Sequence, residues 1–120
     1  MLGRILVTLG AVLLIGAAVL HGLGGQTVAG WVSGPRAGAL QALWYVPTVD
    51  WTVVALAWLA IAWTGGIRFG WLIWLLAAIP AAAAVLIVST VGPDFVGVWM
   101  LAGAVLLTLL GSIALPRQPR

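Results

Sequence analysis

The sequence predicts an all-α fold, an integral membrane bundle of four transmembrane helices, and three observations predict it. Charge is absent from long runs: residues 5–25, 37–49, 51–67, 69–93 and 95–116 contain no Asp, Glu, Lys or Arg. A hydrocarbon core of ~30 Å takes about 20 apolar helical residues to cross, so uncharged runs on this scale read as spans. Composition agrees, because 64% hydrophobic and 6% charged residues, with a mean hydropathy of +1.24, leave too little polar surface to cover a water-soluble particle of 120 residues. Short breaks of glycine, proline, arginine and aspartate separate the runs, so residues 1–120 form a single transmembrane domain.

Span 1 is expected at about residues 5–23, stopped by Gly22-Leu23-Gly24-Gly25, a glycine cluster that does not favour helix. An outer loop over 24–43 follows, in which Pro35 suits a first helical turn, opening a helix that runs along the interface or directly into span 2. Span 2 covers about 44–64, with Pro47 near its start as a kink. Gly65-Gly66-Ile67-Arg68 makes a tight connection to span 3, at 69–91, which contains Pro80. The turn Gly92-Pro93-Asp94 leads to span 4, at 95–115, and Asp94 is expected to cap that helix. Pro116 ends it.

An even number of spans puts both termini on one side. That side carries Arg4, Arg68, Arg117 and Arg120, whereas the other carries Arg36 and Asp94. Arginines in short loops stay cytoplasmic, so both termini are expected in the cytoplasm. Trp63, Trp71 and Trp74 then fall near the inner interface, and Trp31, Trp44 and Trp99 near the outer one. Arg4 followed by an apolar run also fits a signal peptide, but no clean small-x-small cleavage site follows, and the segment is expected to be retained. Abundant Ala, Gly, Trp and Arg without Lys suggests a GC-rich bacterial genome, hence a bacterial inner membrane.

Three groups of residues stand out. Asp50 lies about 9 Å along span 2 from Trp44, and a carboxylate at membrane depth marks function or a specific partner. His21, near the outer end of span 1, is expected at a comparable depth. The two are expected within hydrogen-bond reach, directly or through one water, as a polar clasp or a ligand or proton site with Tyr45, Thr48, Gln41 and Arg36 nearby. Trp44, Trp51 and Trp58 recur every seven residues as one stripe, expected as a ridge facing lipid or a partner, with the wall of a hydrophobic ligand site as the competing reading. Gly97, Ala104, Thr108 and Gly111 share one face of span 4, where small residues let another backbone approach closely.

Several chemistries are excluded. The net charge of +3 comes from five arginines against two aspartates, too sparse for nucleic-acid binding. With no Cys, one His and two separated Asp, no metal site or catalytic set can be assembled, and there is no phosphate loop or nucleophile elbow. The small multidrug transporters also have four spans, but they rest on a glutamate in span 1, and this chain has no glutamate. Leu20-His21-Gly22-Leu23-Gly24-Gly25 followed by Leu43-Trp44-Tyr45 resembles small four-helix bacterial inner-membrane proteins of unknown function, which implies architecture and not mechanism.

Three functions remain open from the residues. The first is a non-catalytic accessory or assembly subunit packed against a larger membrane complex, with the bilayer and a membrane-protein partner or second copy as its partners. The second is a binding site for a quinone, lipid or pigment near the outer leaflet. The third is a proton-coupled small transporter titrating at Asp50, although Val53, Val54, Ala57, Leu59 and Ile61 offer no polar path below it.

Overall fold

The computed structural model describes residues 1–65 and 69–115. Arg68, Arg117, Arg120, Pro116 and the turn at 66–68 lie outside the described residues. The described residues are 87% helix, with no strand among them. Five α-helices follow in order: α1 (Leu2–Leu23), α2 (Gly25–Ala29), α3 (Pro35–Ala60), α4 (Gly70–Thr90) and α5 (Val96–Ile113), with a π-helical turn at Ile61–Gly65 after α3. Among the described residues, four helical stretches are long and apolar enough to cross a membrane: Leu2–Ala29, Pro35–Thr64, Gly70–Thr90 and Val96–Ile113.

Two boundaries differ from the expected ones. The glycine cluster interrupts the helix by one residue only, because Gly24 keeps right-handed helical angles (φ −73°, ψ −16°) and α2 resumes at once. The segment 24–43 is therefore largely helical, and Pro35 opens α3 directly from Gly34, whose φ of 70° turns the chain into it. The 30 residues of Pro35–Thr64 extend about 45 Å. Asp94 does not cap α5: Phe95 occupies the cap position without a side-chain bond, leaving Asp94 as an exposed turn residue one position too early.

The helices are arranged with α1 at the centre. It packs most extensively against α5 and then against α3, α4 packs mainly on α5, and α3 touches α4 only lightly. Small residues explain the tight α1–α5 seam. A Cβ added to Gly3 would sit 2.5 Å from the Ala114 backbone, one on Gly111 would sit 2.7 Å from the Val7 nitrogen, and one on Gly10 would overlap Thr108 Oγ1. Ala104, Thr108 and Gly111 are buried in this seam. Gly97, seven residues before Ala104, is only partly buried at the end where the helices spread.

The tryptophan stripe corrects an expectation. Trp58 is fully buried and Trp51 is 5% exposed, so the stripe faces the interior of this chain's own bundle rather than lipid or a partner. Its neighbours in the core include Leu14, Ala18, Ile73 and Leu101. The wide rings on α3 meet the narrow alanine- and glycine-rich surface of α1, which leaves room for them. At the opposite end from His21, the Arg4 guanidinium lies 5.5 Å over the Trp63 ring, and Trp63 Nε1 donates to Thr8 Oγ1 at 3.2 Å.

Candidate functional site at the His21 end

The site begins with the glycines that close α1. Each makes space for a side chain of α3: a Cβ on Gly22 would lie 3.3 Å from Thr48 Cγ2, one on Gly24 3.2 Å from Trp44 Cζ2, and one on Gly25 2.7 Å from the Tyr45 ring. The sequence that loosens the helix end is therefore also what lets α3 lie against it. Trp44 completes the junction. Its indole Nε1 donates to the His21 carbonyl at 2.6 Å, adding a second donor to an oxygen that also accepts from the Gly24 N–H at 3.1 Å near the C-terminus of α1. In return, His21 Nε2 donates to the Trp44 carbonyl at 2.9 Å. The carbonyl of Leu43, just before, has lost its helical donor to Pro47, so the α3 backbone is already loosened here.

The two rings stack. Their centroids are 4.3 Å apart with planes within 5°, and Trp51 closes on the imidazole from another side at 5.2 Å and 58°. Because a carbonyl can only accept, the proton of neutral His21 resides on Nε2, leaving Nδ1 as an acceptor. Nδ1 has no hydrogen-bond partner among the described residues and is not sealed from the surface.

Beside these rings lies a cavity of about 280 Å³ among α1, α3, α4 and α5. His21, Trp44 and Trp51 form one wall, Ile87 of α4 another, and Met100 and Leu101 of α5 the third. Gly97 also lines it, so the small-residue face of α5 runs from the tight seam into this opening.

The remaining residues predicted for the site do not line this cavity. Asp50 is exposed and shares no direct hydrogen bond with His21; it borders a shallow hollow with Ala42, Tyr45, Val46 and Val49 on the outer surface of α3. It immediately precedes Trp51, and the rotation of about 100° between adjacent helical residues turns it off the inward stripe. Gln41 donates weakly to the Tyr45 hydroxyl at 3.5 Å, Thr48 Oγ1 is buried without a partner, and Arg36 is exposed. Sequence reasoning missed Ile87, Met100 and Leu101, which are ordinary apolar residues on distant spans. Gly97 was the one signal of an opening on α5. No protein-family model, curated protein or solved structure matches this chain.

Proposed function

We propose that this chain is a multi-pass protein of a bacterial inner membrane, with both termini in the cytoplasm, that performs no catalysis and docks through the outer face of α3 on a larger membrane complex. The observation that carries the reading is the setting of Asp50. It is exposed in the middle of an apolar face, between Val46, Val49 and Val53, of which the last two are each 59% exposed. A carboxylate at such a depth faces a protein interior or a partner group far more readily than lipid, so another helix covering this face satisfies it.

Charge complementarity narrows the partner. Two parallel copies meeting through α3 would place residues of equal depth together, and Asp50 would face a second carboxylate. Among the described residues, no cation lies near that depth. Arg36 is 14 residues earlier, about 21 Å along the helix, Arg4 is at the far end, and His21 is committed to Trp44. The fitting partner is a transmembrane helix of another protein carrying an arginine, lysine or histidine opposite Asp50. The apolar side chains exposed around all four long helices, such as Leu9, Val12, Leu56, Leu75, Val85 and Leu106, suit immersion in lipid on the remaining faces.

A photo-crosslinking residue placed at Val49 tests this in native membranes. A discrete heterologous adduct is expected at Val49 and lost with Asp50→Ala, while a probe at Val85 on α4 gives none. Only unmodified chain at Val49, or an adduct indifferent to Asp50→Ala, would overturn the reading.

A further inference from the structure

The cavity beside His21 is independent of the Asp50 face and has the chemistry of a ligand site. Three of its features restrict what fits. Its volume of about 280 Å³ exceeds the roughly 150 Å³ that suffices for benzene, which points to one or two rings. Its wall offers the stacked His21–Trp44 pair and Trp51, flat surfaces suited to an aromatic ring. Its polar group is His21, whose Nε2 is already used, so what remains is the acceptor Nδ1. We propose that this cavity binds a phenolic compound of one or two rings, its hydroxyl donating to His21 Nδ1 and its ring lying among Trp51, Met100 and Leu101.

The preference follows from the bond already made. A quinone carbonyl can only accept, and beside neutral His21 it would meet a second acceptor; a quinol or simple phenol brings the missing hydrogen. The rim is apolar, with exposed Leu20, Phe95 and Val96, so the ligand enters across greasy surface rather than through charged groups. Phenols of two origins share this chemistry: a prenylated phenol resident in the bilayer, and a small phenol diffusing from water.

The full chain in lipid nanodiscs is titrated with 1-naphthol and with 1-methoxynaphthalene, which has the same rings but no donor, against protein-free nanodiscs as the blank. Saturable binding of 1-naphthol is expected about tenfold tighter than that of the methyl ether, the worth of one hydrogen bond. His21→Phe keeps a ring on Trp44 but has no Nδ1, and the preference should fall to near unity, a change that general loosening of the fold would not single out. Met100→Trp fills the cavity from α5 without touching the His21–Trp44 junction and should abolish binding. Displacement of 1-naphthol by a prenylated phenol at low mole fraction in the lipid assigns the bilayer source, and displacement only by tail-less phenols assigns the aqueous one. No saturable binding to wild type, equal affinity for the two naphthalenes, a preference retained in His21→Phe, or unchanged binding in Met100→Trp would each overturn the proposal.

Discussion

His21 shows how a polar side chain can be satisfied without another polar side chain. Its partners are a backbone carbonyl and an indole face, both contributed by Trp44, while its own carbonyl takes the indole N–H. Loss of either residue should therefore damage the same junction. His21→Ala and Trp44→Ala are each expected to lower stability by about 1 to 3 kcal/mol, and the double variant by clearly less than their sum, as read in a thermal-shift double-mutant cycle. Both acceptor carbonyls belong to the backbone and survive the alanine variants, so the coupling is that of the stacked rings, and strict additivity would show that the stack contributes nothing. Asp50→Asn should behave differently in the isolated chain, changing stability by no more than about 0.5 kcal/mol, because Asp50 is exposed and has no partner among the described residues. His21 and the glycine cluster were legible in the sequence as a special helix end. The partner was not, because an inventory of side chains offers Asp50 as the natural complement and contains no record of which backbone carbonyl lies within reach.

At the scale of elements, the helices are sorted by side-chain width. Narrow positions on α1 meet narrow positions on α5, and the broad stripe of α3 meets the other side of α1. Widening the seam should be costly: Gly10→Leu or Gly111→Leu forces α1 and α5 apart and is expected to destabilise by about 1 to 3 kcal/mol in chemical denaturation from micelles. Gly38→Ala is the matched control. A Cβ there meets nothing within 4 Å, and replacing a helical glycine should stabilise α3 by up to about 1 kcal/mol. Equal effects at the three positions would mean that the α1–α5 approach is not what the glycines secure. Seven-residue spacing identified the Trp44, Trp51 and Trp58 stripe but not the side it faces. When the surroundings are as apolar as the core, hydrophobic patterning no longer separates inside from outside. The four long helices themselves were legible, since they rest on run length alone.

Across the whole molecule, the two ends have different characters. The His21 end spreads around a cavity rimmed by apolar side chains, whereas the other end is drawn together by the glycine seam and by Arg4 over Trp63. Of the described arginines, Arg4 lies at that second end and Arg36 at the first, and the span order expected from the sequence assigns Arg68, Arg117 and Arg120 to the side of Arg4. Retention of arginine on the cytoplasmic side would orient the cavity toward the outer leaflet and place both termini inside. The chain has no natural cysteine, so single cysteines report topology without background. Ser33→Cys, exposed in the turn before α3, should react with a membrane-impermeant maleimide on intact spheroplasts, and Gln118→Cys, in the C-terminal tail, should react only after the membrane is permeabilised. The reverse pattern would invert the bundle and direct the His21 cavity to the cytoplasmic leaflet. Labelling of both positions on intact spheroplasts would break the four-span count itself, because an even number of crossings keeps the tail on the side of Met1, opposite the turn at Ser33.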